Sequence, residues 1–263
     1  MTLTARHGPS THDSLNQLSN KIIRVIPAGT ASLGEWRGCS IRDLLLIALT
    51  FASGTVDAIS YFGLGKIFSA FMTGNLVFLG FGIADIGGPD VPVAIALVAF
   101  AVGSFVGLRF AAGRPGEAGL WPHRMSTLLA LVAMSEAVFL IIWRANSGHP
   151  SPHATYVLIM LSALAMGVQT AAVRSLGVLG VFTTAGTFTL VALTGVVAGT
   201  RARSELPRLA GVLIGLIAGA MAGGLLFEHA RSCAPVLPLV VTVLVIAAGK
   251  VFAAHLTSDA SAG

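Results

Sequence analysis

The sequence predicts an all-α, polytopic membrane protein, on the basis of its composition, its unbroken apolar runs and its abundant glycine. The chain has 263 residues, of which 55% are hydrophobic and only 10% charged, and its mean hydropathy is +0.85. A soluble domain carries about 25% charged residues. The 31 glycines suit closely packed membrane helices, whereas a β-barrel would need alternating strands of about ten residues. A helical bundle in a lipid bilayer is therefore expected.

Eight apolar runs supply the membrane segments, because a spanning helix needs about 20 apolar residues. The runs cover residues 44–64, 67–86, 91–110, 127–143, 154–173, 176–199, 209–227 and 236–254. Almost no loop separates the first run from the second, or the fifth from the sixth. Six to eight membrane segments are predicted, some of them broken or re-entrant.

The apolar runs form a single predicted membrane domain, residues 43–255, between two tails. Residues 1–42 are a polar, basic tail with no apolar region typical of a cleaved signal peptide, and residues 256–263 are a short tail. The net charge of +5 is typical of cytoplasmic loops. The sequence has no stripe of Lys and Arg with interleaved aromatic residues, so binding to nucleic acid is not expected. Cys39 and Cys233 lack metal-ligand spacing and are expected to be unpaired.

A shift of 112 residues superimposes two halves, about 43–143 and 155–255. The shift places Gly74 on Gly186, and the polar Asp57 and Asn75 on Gln169 and Thr187. Polar, glycine-interrupted segments at matching positions of two halves indicate a binding site between broken helices. The sequence therefore predicts two repeats that share a polar site near the middle of the membrane.

The distribution of Lys and Arg favours an inverted repeat. If all eight runs cross, six basic residues lie on each side, when the tail before Arg42 is left out. If each tight pair of runs makes one net crossing, eight lie inside and two outside, as the positive-inside rule prefers. The other two, Lys66 and Arg174, fall within the paired segments. Three crossings per half would invert the second half, although eight full spans remain open. Both tails are cytoplasmic in either arrangement.

Two stretches, "FASGTVDAISYFGLGKIFSAFMTGNLVFLG" and "MGVQTAAVRSLGVLGVFTTAGTFTLVAL", resemble the YoaK family of bacterial membrane proteins, a domain family of unknown function. The matching residues are Gly54, Asp57, Ala58, Phe68, Met72, Thr73, Gly74, Asn75, Met166, Gly167, Gln169, Gly186 and Thr187. Ala185 departs from the family pattern, in which a Thr is usual. The resemblance implies a bacterial inner-membrane protein and supplies no activity.

The first half contributes the main candidate site residues. A carboxylate at Asp57 costs about 2.5–3.5 kcal/mol inside a span, so it should face a cavity, bind a cation or proton, or pair with Lys66 or Arg174. Thr73, Gly74 and Asn75 would form a helix break whose carbonyl, hydroxyl and amide groups suit an ion or a small polar solute. The alternative is a helix-packing notch with Asn75 bonded to its neighbours.

The second half would complete the site with Gln169, Thr184, Gly186 and Thr187, unless these residues only make hydrogen bonds between helices. Glu136 is the other carboxylate within an apolar run, and it is a candidate for a proton relay or an ion pair. The GxxxG patterns of Gly103 and Gly215 are typical of helix packing.

No phosphate-binding loop, dinucleotide fingerprint, nucleophile elbow or zinc-protease signature occurs in the sequence, so neither an enzyme nor a bound cofactor or metal is expected. The predicted function is transport or channel-like passage of a small solute or ion. The alternative is a membrane scaffold, sensor or assembly partner without transport. The sequence does not specify the substrate, the coupling ion or the oligomeric state.

Overall fold

The computed structural model describes residues 33–87, 90–112, 121–176 and 186–261. The chain divides into two compact units, 1–37 and 38–263, and the predicted site residues belong to the second. The α-helices within the described ranges are α1 (Leu33–Gly63), α2 (Met72–Ile83), α3 (Asp90–Ala111), α4 (His123–Ala145), α5 (Pro152–Ser175), α6 (Gly186–Val197), α7 (Leu206–His229) and α8 (Val236–Ser261).

Six helical segments in the described part of the chain are long and apolar enough to cross a membrane. They are Ile41–Gly63, Val91–Ala111, His123–Ala145, Pro152–Ser175, Arg203–His229 and Arg231–Ala254. The helices α2 and α6 have 12 residues each. At 1.5 Å per residue they reach about 18 Å, against a hydrocarbon core of about 30 Å. The prediction of an all-α membrane protein with six to eight membrane segments, some of them broken, is confirmed.

The first tight pair of apolar runs becomes a spanning helix, a non-helical stretch and a short helix. α1 ends in a Schellman turn, in which Gly65 has a φ of +97° and the Lys66 N–H donates to the Tyr61 carbonyl at 3.0 Å. Residues 64–71, called the break below, are non-helical until α2 begins at Met72. The second apolar run, predicted at 67–86, is therefore only partly helical.

The helices α1 and α7 pack with their backbones in contact. A Cβ atom added to Gly54 would overlap the Leu216 carbonyl, and one added to Gly219 would overlap the Phe51 carbonyl. The hydroxyl of Thr55 donates to the Gly219 carbonyl at 3.0 Å. The first spanning helix of the first half therefore packs against the second spanning helix of the second half through small residues, as membrane helices do.

The helices α3 and α5 repeat this arrangement with the halves exchanged. A Cβ atom at Gly103 would overlap the Leu164 carbonyl, and one at Gly167 would overlap the Phe100 carbonyl. The hydroxyl of Ser104 donates to the Gly167 carbonyl at 3.3 Å. The two halves are thus interlocked, because each contributes one helix to each of two glycine seams.

The equivalent contacts do not follow the predicted shift of 112 residues. Gly54 and Gly167 are 113 residues apart, and Gly103 and Gly219 are 116 residues apart. Extra residues must then fall between the helices, where an insertion disturbs the packing least. The repeat itself stays a prediction, but an alignment of the two halves without gaps has the wrong register for these contacts.

The helices α1 and α5 form the centre of the bundle. In the most apolar 18 residues of each span, the buried share is 72% for α1 and 67% for α5, but only 28% for α3, α7 and α8. The outer helices expose large apolar side chains such as Phe105, Ile141 and Ile217. Such surfaces suit lipid, whereas polar groups on α1 and α5, such as Ser60 and Gln169, are buried within the protein.

Candidate functional site

Asp57 holds the break from α1. Its Oδ1 atom accepts hydrogen bonds from the backbone N–H groups of Ser69, at 2.8 Å, and Ala70, at 2.7 Å. Both bonds are made to donors that a helix would have used internally. The carboxylate therefore provides hydrogen bonds to backbone groups that lipid could not satisfy. The sequence analysis did not anticipate backbone N–H groups as partners of Asp57.

Asn75 holds the same break from α2. Its Oδ1 atom accepts from the Phe68 N–H at 2.9 Å, and its Nδ2 atom donates to the Phe68 carbonyl at 2.6 Å and to Met72 Sδ at 3.6 Å. The side chain is fully buried. Both amide functions thus bind the backbone of one residue, as a neighbouring β-strand would.

Three serine hydroxyls connect the break to the central helices. Ser69 donates to Ser162 on α5 at 2.7 Å, and Ser162 donates to the Leu158 carbonyl at 2.9 Å. Because each hydroxyl has one proton, Ser60 on α1 must donate across its 2.6 Å contact with Ser69. All three side chains are buried, so the chain of hydrogen bonds fixes the break against α5.

Aromatic rings explain the glycine at position 74. A Cβ atom on Gly74 would lie 2.8 Å from the Phe71 ring and 3.0 Å from the Phe68 ring. These two rings pack edge to face, with centroids 5.4 Å apart. Thr73, the neighbouring site candidate, is exposed. The prediction that Thr73, Gly74 and Asn75 form the helix break is wrong in position, because all three lie in the first turn of α2 and the break precedes them. Of the three, only Asn75 is buried.

The second half contributes Gln169 and a residue that sequence reasoning missed. Gln169 is fully buried, its Nε2 donates to the Leu49 carbonyl at 3.3 Å, and its Oε1 has no partner. Gly186 begins α6, and Thr187 is exposed. Thr189 is buried and its hydroxyl is without a partner. The predicted site residue Thr184 lies outside the described residues.

Thr189 takes the place in α6 that Asn75 takes in α2, since each is the fourth residue of its short helix. The gapless shift selected Thr187 instead, which is two positions away and on another face. An alignment that allowed a gap between the first spanning helix and the short helix would have found Thr189.

The basic candidates do not approach the carboxylates. Lys66 and Arg174 are exposed, and among the described residues neither makes an ion pair with Asp57 or Glu136. Glu136 lies on α4 and is only 7% exposed. It lines a cavity of about 20 Å³ together with Ser135 and Ser162.

The structure therefore groups the predicted residues in three places. Asp57 and Asn75 meet at the break, Gln169 contacts α1 at Leu49, and Glu136 borders the small cavity. Asp57, Asn75 and Gln169 do not line that cavity. A ligand shared by Asp57, Asn75 and Gln169 stays a prediction. Within the described ranges no cluster of three or more His, Cys, Asp or Glu side chains could hold a metal ion.

Six candidate spans, two short helices and polar groups buried between them define a polytopic helical membrane protein. The chain belongs to the family described as "Protein of unknown function (DUF1275)", whose profile matches residues 45–257. It is also 34% identical over 157 residues to the UPF0700 transmembrane protein YoaK of Bacillus subtilis (strain 168).

The match to YoaK covers 58% of this chain and 65% of that relative, just under two thirds of its length. No solved structure matches the chain. The comparisons bear out the resemblance to the YoaK family, and neither the family description nor the name of the relative assigns an activity.

Proposed function

We propose that this protein is a small, non-enzymatic transporter or channel-like protein of the bacterial inner membrane, which passes a small polar solute or ion. The observation that carries the proposal is the break after α1, where Asp57 and Asn75 hold irregular backbone against a central helix. Irregular backbone at membrane depth persists where it is buried in protein or lines a cavity. Transporters place their sites at such discontinuous helices.

The interlocked halves support a moving site. α1 and α7 form one glycine seam and α3 and α5 form the other, so a tilt at one seam has an equivalent at the other. In alternating access, one repeat rocks against the other around a fixed site. The break follows α1, a helix of the first seam, and is attached through Ser162 to α5, a helix of the second.

One set of contacts favours the alternative, a membrane scaffold, sensor or assembly partner. Asn75 uses both amide functions on Phe68, and Asp57 uses Oδ1 on two backbone N–H groups. These bonds would be needed even if no ligand ever bound. A scaffold with a structurally required break would therefore carry the same residues.

The proposed topology places both tails in the cytoplasm, with the two short helices re-entrant. The basic residues on the cytoplasmic side are then Arg42, Arg109, Arg114, Arg124, Arg174, Arg201, Arg203, Arg208 and Lys250. Only Lys66, Arg144 and Arg231 lie on the outside, counting from Arg42 onward. The positive-inside rule supports this arrangement.

Single cysteines test the topology in a chain that lacks Cys39 and Cys233. Glu117→Cys lies between α3 and α4 and should resist a membrane-impermeant maleimide in intact cells. His149→Cys lies between α4 and α5, where the side chain is exposed, and should react at once. Eight full spans would reverse both results, because they exchange the sides of these two loops.

Asp57→Asn tests whether the buried charge serves a ligand. Asparagine keeps an Oδ1 acceptor for the N–H groups of Ser69 and Ala70, so the variant should fold with a melting temperature close to that of the wild type. A screen of solutes and ions by melting temperature identifies a ligand by mass action. For that ligand, we expect Asp57→Asn to remove the cation or pH dependence of binding and of uptake into proteoliposomes.

The matched control is Asp85→Asn. Asp85 is exposed at the end of α2 with a φ of +55°, a conformation that asparagine adopts readily. This variant should bind and transport as the wild type does. If Asp57→Asn kept the full ion dependence, the carboxylate would serve only to hold the break, and the scaffold alternative would gain.

A further inference from the structure

A small cavity is lined in part by Ser162, the residue that attaches the break to α5. It is formed by α1, α4, α5 and the beginning of α8, and its volume is about 20 Å³. Ser135, Glu136 and Ser162 are among the lining residues, but the accessible wall of the cavity consists of apolar atoms. A water needs two to four polar partners, so this cavity has room for one water but offers no hydrogen bonds that would hold it.

The carboxyl group of Glu136 has no hydrogen-bond partner in this cavity. Both oxygens are buried and unpartnered, and the residue is only 7% exposed. Thr242 on α8 lies beside the carboxyl group, but its hydroxyl makes no hydrogen bond of acceptable geometry with it. An isolated carboxylate cannot remain in such surroundings without a cation or a proton.

The two serines cannot stabilise a carboxylate by donating to it. The Ser135 hydroxyl donates to the Leu161 carbonyl at 3.0 Å, and the Ser162 hydroxyl donates to the Leu158 carbonyl at 2.9 Å. Neither hydroxyl therefore has a proton left for the carboxyl group. The hydroxyl of Thr242 could serve at most one of the two carboxylate oxygens, so a carboxylate would keep an unsatisfied charge.

No described cationic side chain lines this cavity. Among the side chains that the structure describes, the titratable groups on the elements packed around it are Arg42, Asp43, Asp57 and Tyr61 on α1, His123, Arg124 and Arg144 on α4, His153, Tyr156 and Arg174 on α5, and Arg231, Cys233 and Lys250 at and in the last span. None of these is among the lining residues. The missing positive charge must then come from a small ligand.

We propose that Glu136 is a binding site for one proton. The bound proton neutralises a buried carboxyl group that has no cationic side chain in its cavity and that neither Ser135 nor Ser162 can stabilise by donating to it. The neutral acid leaves no net charge beside the apolar wall of the cavity. The proton is thus assigned to Glu136 and not to Asp57, whose Oδ1 already accepts two backbone N–H groups.

Infrared spectroscopy of the purified full-length protein tests the site without any transport assay. At neutral pH, the wild type should show the C=O stretch of a protonated carboxylic acid, separate from the amide band. Glu136→Gln should remove this band, while Glu228→Gln, at an exposed position in α7, should keep it. Because glutamine is a neutral isostere of the protonated acid, Glu136→Gln should melt within a few degrees of the wild type.

Isotope labelling keeps the test decisive if Glu136→Gln fails to fold. The band of the wild type should shift when glutamate is labelled with ¹³C and should stay in place when aspartate is labelled. A shift with labelled aspartate would show that the proton is bound to an aspartate and would overturn the proposal. The absence of any band from a protonated carboxylic acid would overturn it as well. A rise in melting temperature with NaCl or KCl over choline chloride, lost in Glu136→Gln, would mean that the site binds an alkali cation instead.

Discussion

Gly219→Ala is expected to destabilise the protein by about 3 kcal/mol or more, the upper end of the cost of overpacking. The added methyl group would overlap the Phe51 carbonyl, and it would also meet the Phe51 Cα at 2.9 Å. Backbone atoms cannot move aside as a side chain can, so α1 and α7 must separate. Separation would also stretch the hydrogen bond from Thr55 to the Gly219 carbonyl.

The measurement is the melting temperature in detergent, where a loss of 3 kcal/mol corresponds to roughly 6–12 °C for a chain of this size. Gly224→Ala is the matched control, because it lies on the same helix and its nearest neighbour would be Phe62 Cε2 at 3.6 Å, an ordinary contact. Helix propensity favours both alanines equally, by about 1 kcal/mol. Equal melting temperatures for the two variants would show that the α1–α7 seam is not tightly packed.

The spans and the presence of a break could be predicted because both depend on local sequence. Apolar runs of about 20 residues mark spanning helices. The polar stretch around Asn75 marked a discontinuity in the second run, but the non-helical residues are 64–71, before that stretch. The Gly-x-x-x-Gly patterns at Gly103 and Gly215 were correctly assigned to helix packing. Hydropathy could not show where the helix resumes, since residues 67–71 are as apolar as those of α2.

The partners of the polar residues could not be predicted, because they are backbone groups and not side chains. Lys66 was the natural candidate to pair with Asp57, but it is exposed, whereas two N–H groups of the break take its place. Any residue offers the same backbone groups, so the sequence contains no signal for them. The pairing of α1 with α7 was equally hidden, because the contacting residues are far apart in the sequence. The equivalence of the two seams was hidden too, because their matching glycines are 113 or 116 residues apart and not 112.

Glu136 shows the opposite difficulty. The sequence marked it as a carboxylate in an apolar run, but it has no counterpart in the other half at the predicted shift and therefore ranked below Asp57. Its importance comes from what the fold places around it, two serines with their protons already donated and the apolar wall of a small cavity. Such a site is assembled from three helices and has no linear motif.

Asn75→Ala is expected to destabilise the protein by about 2–6 kcal/mol in the absence of any ligand. The substitution leaves both the N–H and the carbonyl of Phe68 without the partners that now lie at 2.9 and 2.6 Å. Each unsatisfied buried group costs about 1–3 kcal/mol, and no water from the bilayer core can replace the amide. Thr73→Ala, two residues earlier and exposed, should change the stability by less than about 0.5 kcal/mol.

The same variant separates a structural role of Asn75 from a ligand-binding role. If the amide holds the break, Asn75→Ala lowers the melting temperature without ligand, and hydrogen exchange at the Phe68 amide accelerates because its acceptor is gone. The folded fraction should then bind a ligand found in the thermal screen about as well as the wild type does. If the amide binds the ligand instead, the unliganded protein should melt normally and the stabilisation by ligand should be lost at every pH, because an amide does not titrate. The contacts with Phe68 favour the first result. Thr-Gly-Asn lies in the first turn of α2, directly after the break, and Asn75 reaches back to supply hydrogen bonds that Phe68 would otherwise make in a helix.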